Sequence, residues 1–129
     1  MNLESKKSTI NKSQKEFFEF LSNLENFRQL MPENIEKFEV DGESFIFSLK
    51  GMPEIRLVVK ERHEFDKIIL GAASSKLNFT LTTLIAEITD NSCETQLLFE
   101  GDFNPMMAMM VKKPLQKFID TLSEKAENL

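Results

Sequence analysis

The sequence predicts an α+β fold: a curved antiparallel sheet of about seven strands wrapped around a long C-terminal helix, in the order β-α-α-β6-α. Three observations predict it. From Ile35 onward the apolar period changes from about 3.6 residues to 2. The strand patterns that follow are joined by short turns, which imply an antiparallel meander. The chain then closes on its longest helical pattern, Asn104 to Leu129. A sheet of this size must curl to bury its inner face, and only the terminal helix is long enough to fill the curl.

Leu3–Ile10 is short and polar-rich, is bounded by Asn11, and reads as an edge strand. Ser13-Gln14-Lys15-Glu16 has the form of a capping box and should start a helix, with Phe17, Phe20, Leu21 and Leu24 as its buried stripe. Leu24–Met31 reads as a second short helix stopped by Pro32, with Asn23 or Asn26 marking the break. Glu36–Val40 and Ser44–Leu49 flank the tight-turn pair Asp41-Gly42, and Phe45, Phe47 and Leu49 share a face. After the turn at Gly51–Pro53, Ile55, Leu57 and Val59 alternate along a further strand. A turn near Phe65-Asp66 leads into Lys67–Ser75, with Ile68, Leu70 and Ala72 on one side. Phe79–Thr89 places Phe79, Leu81, Thr83 and Ile85 on one face. Asp90-Asn91 turns the chain into Glu94–Phe103, where Thr95, Leu97, Phe99 and Phe103 share a face with Gly101.

In the terminal helix Asn104 is a good N-cap, and Pro105 sits where a missing N–H costs nothing. Ala108, Val111, Leu115, Phe118, Ile119, Leu122, Ala126 and Leu129 form one stripe; Gln116, Lys117, Asp120, Glu124 and Lys125 lie opposite in the second half. Met106, Met107, Met109 and Met110 make the first half apolar around most of its circumference, as expected of a helix buried on more than one side. Pro114 should kink the helix, the alternative being a short helix to Lys112 and a new one from Pro114. The methionines admit three readings: core filling, an adaptable wall for an apolar ligand, or a subunit contact.

A chain of 129 residues fits one domain, 1–129, with a sizeable core. The start of the chain lacks an apolar signal region, and no apolar run approaches the ~20 residues needed to span a bilayer. The lone Cys93 can form no internal disulfide, which suits a reducing compartment and a cytoplasmic location. A net charge of −5 argues against a nucleic-acid partner, and Lys112, Lys113 and Lys117 read as a solvated helix face. Twelve Phe with neither Trp nor Tyr make an aromatic core without polar handles.

Reactive chemistry is hard to assemble from these residues. One histidine, His63, and one cysteine cannot make a His/Cys metal site, and no metal or cofactor is expected. Ser74 or Ser75 would lie roughly 20 Å along the ladder from His63, far beyond the reach of a Ser–His pair. Cys93 has no basic neighbour in sequence to lower its pKa. Gly71–Ser75 lacks the pattern of a phosphate loop and reads as small residues allowing the helix or a ligand to come close. Of the carboxylates Glu87, Glu94, Glu100 and Asp102 near the last strands, alternation turns Glu100 and Asp102 outward. Thr83 and Thr95 share faces with large apolar residues and are the expected inward polar contacts, joined by Arg56 if its strand bulges.

Two stretches carry a family resemblance that spans essentially the whole chain. Ser13–Pro32, SQKEFFEFLSNLENFRQLMP, is similar to the opening of the START-like superfamily, the helix-grip proteins that include Bet v 1 and polyketide cyclase-like members. Gly101–Met110, GDFNPMMAMM, resembles that family's lead into its last helix. LMPENIEKFE looks most like small bacterial proteins related to the G component of carbon monoxide dehydrogenase. Leu30 departs from the Trp many relatives have, and Asn23 from their common Asp. The resemblance implies a hydrophobic cavity between sheet and helix and no catalytic residue.

The expected function is therefore binding or carriage of a small hydrophobic molecule: a lipid, isoprenoid or aromatic metabolite. The expected lining is Phe47, Leu57, Leu70, Leu81, Thr83, Thr95, Leu97 and Phe99 from the sheet, with Met107, Met110 and Val111 from the helix. A preformed site of this type should measure about 300 Å³ or more. The alternatives are a cyclase- or dehydratase-type enzyme, and a non-enzymatic interaction or assembly module using the outer sheet face or the methionine helix. A solid core and a homodimer interface over Met106–Met110 would favour the module.

Overall fold

The computed structural model describes residues 1–73 and 78–129. In order they form β1 (Asn2–Glu4), β2 (Ser8–Ile10), α1 (Gln14–Ser22), a 3-10 helix (Leu24–Leu30), β3 (Ile35–Asp41), β4 (Ser44–Leu49), β5 (Ile55–His63), β6 (Lys67–Ala72), β7 (Asn78–Thr89), β8 (Ser92–Asp102) and α2 (Pro105–Glu127). Ser74 and Ser75, at the end of the expected fifth strand, lie outside the described residues.

Period-2 alternation builds the sheet. Phe45, Phe47 and Leu49 of β4 are buried, as are Phe79, Leu81, Thr83 and Ile85 of β7 and Cys93, Thr95, Leu97 and Phe99 of β8. Their neighbours along each strand are more exposed, as a half-buried pleat requires. The strands lie in the order β1-β8-β7-β6-β5-β4-β3, with every pairing antiparallel and β2 also against β8. Gly42, with φ of 61°, makes the β3–β4 turn that the Asp-Gly pair predicted. The curved sheet and long terminal helix match the expected fold class.

The edge strand is split in two, so the sheet has eight strands. Glu4 pairs with Leu98 and Ser8 with Thr95, so four steps on one strand face three on the other. This one-residue bulge turns the Lys6 N–H away from the ladder, and it donates to Asp120 Oδ1 of α2 at 3.0 Å.

The capping box forms: Glu16 N–H donates to Ser13 Oγ at 3.1 Å, and Ser13 N–H to Glu16 Oε1 at 3.3 Å. The buried stripe of α1 is Phe17, Phe18 and Leu21, whereas Phe20 is half-buried. The helix is rotated from the expected orientation because Phe18 sets its ring edge-on to Phe65, centroids 5.4 Å apart. Asn23 ends α1 and caps the 3-10 helix. Phe27 of that 3-10 helix stacks on Phe45 at 5.4 Å, so α1 and the 3-10 helix share the concave face with α2.

α2 runs unbroken through Pro114, which excludes a new helix starting there. Its second half is tied to the body by polar contacts. Gln116 Nε2 donates to the Glu4 carbonyl at 2.8 Å, and Lys125 Nζ to the Met31 carbonyl at 2.7 Å. Ser123 Oγ shares a buried 2.7 Å hydrogen bond with Ser8 Oγ and also donates to the Lys6 carbonyl at 2.9 Å. The first half is not buried on more than one side, contrary to expectation. Met106, Met109 and Met110 are 75, 84 and 68 % exposed. No layer covers that side of the helix among the described residues.

Candidate functional site

Two small apolar voids inside the fold bear on the expected site. The larger, about 40 Å³, sits beneath the first half of α2. Met107, Val111 and Leu115 form its roof, Phe79, Phe99 and Phe103 one wall, and Met52, Pro53 and Ile55 the other. Its exposed lining is wholly apolar. The three phenylalanines make one stacked group, with Phe79–Phe99 centroids 5.4 Å apart, Phe99–Phe103 6.2 Å and Phe79–Phe103 6.3 Å. Gly101 permits this group. A Cβ there would come within 2.8 Å of the Phe103 ring and 2.9 Å of Phe79 Cβ.

The smaller void, about 10 Å³, lies where α1, the 3-10 helix, the sheet and the second half of α2 meet. Thr83, Thr95 and Leu97 line it together with Phe17, Leu21 and Phe27, and with Leu30, Leu122 and Ala126. Thr83 and Thr95 point inward as expected, but the Thr95 hydroxyl already donates to the Leu84 carbonyl at 2.9 Å. The larger void has room for a few water molecules and the smaller for roughly one. Both fall far below the 300 Å³ expected of a preformed site.

Of the eleven expected lining residues, Phe99, Met107 and Val111 meet at the larger void, and Thr83, Thr95 and Leu97 at the smaller. Phe47, Leu57, Leu70 and Leu81 are buried but line neither, because the protein's own side chains fill the space in front of them. Phe118 occupies the place in front of Phe47. Met110 faces outward and belongs to neither void. Sequence reasoning missed Phe79, one alternation step before Leu81, Phe103, two steps beyond Phe99, and Leu115, one helical turn beyond Val111. Met52 and Pro53 carried no signal beyond that of a turn.

The other candidates sit outside the fold's interior. Arg56 is exposed and donates to Ser44 Oγ at 2.9 Å; the bulge in β5 falls between Val59 and Glu61 instead. Lys60, the extra residue, lays its aliphatic stem over Gly71, so that glycine accommodates a lysine rather than α2 or a ligand. His63 is exposed beside Glu61, with Nε2 3.2 Å from a carboxylate oxygen. Its would-be partners Ser74 and Ser75 lie outside the described residues. Cys93 is fully buried, and burial pushes its thiol up to about 11. Glu87, Glu94, Glu100 and Asp102 include no buried carboxylate. An open crevice of about 230 Å³ runs along the sheet end between Met1, Asn78 and Asp102, outside the grip. Among the described residues no cluster of His, Cys, Asp and Glu has metal-site geometry.

One asymmetry bears on what the larger void can do. The second half of α2 is tied down by Gln116, Asp120, Ser123 and Lys125. Among the described residues, no side chain of Met106–Lys113 makes a hydrogen bond or ion pair to another element. Pro114, at the junction, removes the backbone hydrogen bond to the Met110 carbonyl. Among the described residues, Met107 and Val111 are thus held over the void by apolar contact alone.

No protein-family model and no curated protein matches the sequence. Solved structures do. A START superfamily protein from Mycobacterium smegmatis superposes with a TM-score of 0.69 at 14% identity, covering 98% of this chain and 94% of that one. Norcoclaurine synthase from Thalictrum flavum gives 0.71 at 12% identity, covering 99% and 94%; another of its structures holds dopamine and hydroxybenzaldehyde. An uncharacterized Bacillus thuringiensis protein gives 0.66 at 10% identity, covering 96% and 97%. The chain has the START-like, helix-grip fold. No helix among the described residues is long and apolar enough to cross a membrane.

Proposed function

We propose that this protein binds a small hydrophobic molecule between the first half of α2 and the Phe79–Phe99–Phe103 group, in a site that opens when that half of the helix moves outward. The observation that carries this reading is the wholly apolar void, two of whose three roof residues, Met107 and Val111, lie on the untied part of α2. At about 40 Å³ the void is a closed form, and a ligand enters by displacing side chains that are cheap to move. Each 100 Å² of apolar ligand surface buried there contributes about 2.5 kcal/mol, which must exceed the cost of lifting Met107 and Val111 off the rings. The lining has no ionisable group, so the bound portion is uncharged: an acyl chain, an isoprenoid or an aromatic ring. The reading includes a cytoplasmic location and the narrower kinship to proteins related to the G component of carbon monoxide dehydrogenase, supported by LMPENIEKFE.

A second reading, an enzyme of cyclase or dehydratase type, is favoured by the likeness to norcoclaurine synthase. It requires a general acid or base at the void, and the lining offers none. A third, an interaction module, is favoured by the exposed methionines.

The test is titration with the neutral apolar fluorophore N-phenyl-1-naphthylamine. Saturable binding at one site is expected, weakened by Val111→Phe, which fills the void, and unchanged by Met109→Gln on the outer face. Absence of saturable binding, or indifference to Val111→Phe in a variant that still folds, removes the proposal.

A further inference from the structure

The outer face of α2, away from the void, is unusual for a surface. Met106, Met109 and Met110 are 75, 84 and 68 % exposed, so three long apolar side chains crowd about one turn. Lys113 and Lys117 continue the same stripe at three- and four-residue steps, with Lys112 beside them, and all three are exposed. The whole stripe, Met106 to Lys117, spans about 16 Å.

Along this stretch of the helix the charge has one sign. No Asp or Glu occurs between Asn104 and Ile119, although the chain carries a net −5. None of the three lysines makes an ion pair among the described residues. The acidic groups of α2, Asp120, Glu124 and Glu127, come only after it. Asp120 is held by Lys6 N–H and Gln116, while Glu124 and Glu127 face Lys6 Nζ.

We propose that this face docks the protein on an anionic lipid bilayer surface, with the three methionines in the acyl boundary and Lys112, Lys113 and Lys117 at the level of the phosphates. An apolar tip followed by a ring of basic side chains is the chemistry of an interfacial helix, and long lysine stems reach back to the headgroups. Each lysine near such a surface is attracted by its negative potential. A second copy of the chain fits less well. A twofold contact would gather six lysines with no carboxylate from the same segment to meet them. A nucleic acid would find three cations but would leave the methionines without an apolar partner.

The experiment is flotation of the full chain with phosphatidylcholine vesicles, with and without phosphatidylglycerol. Binding to the anionic vesicles is expected, with little to the neutral ones, and it should fall as salt is raised. Lys112→Gln, Lys113→Gln and Lys117→Gln together should lower partitioning roughly 100-fold, at about 1 kcal/mol per lysine. Met106→Gln, Met109→Gln and Met110→Gln together should also lower it, while leaving the melting temperature unchanged because these side chains touch little. Failure to float with anionic vesicles overturns the proposal. So does binding that neither triple variant weakens, or a dimer that the methionine variant dissociates while vesicles are ignored. Fluorophore binding in the void is read separately, on the opposite face, so one result leaves the other standing.

Discussion

The rings of Phe47 and Phe118 lie face to face, centroids 4.7 Å apart and planes within 3° of parallel. Both are buried, so this stack fastens the second half of α2 to β4 at the position where an empty cavity was expected. Removing either ring should cost about 3–5 kcal/mol of unfolding free energy, the cavity term included. A double-mutant cycle of Phe47→Ala and Phe118→Ala, read by urea denaturation, should return a coupling of about 0.5–1.5 kcal/mol. Strictly additive losses would mean that the rings merely fill space.

That stack marks the boundary of what the sequence makes legible. Strand faces are readable because a period of 2 leaves each residue one choice of side, and Phe45, Phe47, Leu81, Thr83, Leu97 and Phe99 all point inward. Which inward residues meet a void and which meet a ring depends on the docking of α2, which no local pattern encodes. Helix rotation is similarly underdetermined: Phe18 and Phe20 are both apolar, and contact with Phe65, far along the chain, decides between them. The methionines misled because an all-round apolar segment reads as buried, whereas here nothing described lies on its outer side. Met52 was invisible as a site residue because a turn's composition says nothing about the helix it faces.

Gly101 is the most constrained small residue of the site. Gly101→Ala should destabilise the protein by roughly 1–3 kcal/mol, since the added methyl would meet both the Phe103 ring and Phe79 Cβ. Because Phe103 is half-buried and its ring can move, the penalty should shrink in a Phe103→Ala background. It should not vanish, since Phe79 Cβ remains. Thermal denaturation of the two single variants and the double reads this out.

Cys93 should be silent in the native state. Its thiol is buried and raised from an ordinary value of 9.0 to about 11, so the folded protein holds this proton more tightly than the unfolded chain. Below about pH 9 both states are protonated and the group leaves stability unchanged. Between pH 9 and about 11 only the unfolded chain ionises, so stability is lost as pH rises through that window. Cys93→Ala should flatten the decline. A disulfide reagent should label the parent only as fast as it unfolds, and rapid labelling at neutral pH would show that the burial is wrong.

The two halves of α2 should differ in motion. Backbone amides from Ala108 to Lys113 lie on the segment without polar ties, whereas those from Leu115 to Ala126 lie on the segment held by Asp120, Ser123 and Lys125. Opening of the first half costs only the apolar packing of Met107 and Val111 on the phenylalanine group, and Pro114 leaves no backbone hydrogen bond to the Met110 carbonyl to resist it. Hydrogen exchange should therefore be faster in the first segment by roughly a factor of 10 for each 1.4 kcal/mol of difference in opening energy. Addition of N-phenyl-1-naphthylamine should change exchange in the first segment and leave the second unaltered. Pro114→Ala restores the missing N–H donor and should slow exchange before residue 114 while weakening uptake of the fluorophore. Equal protection along the whole helix would leave the 40 Å³ void as a packing defect with no way to admit a ligand.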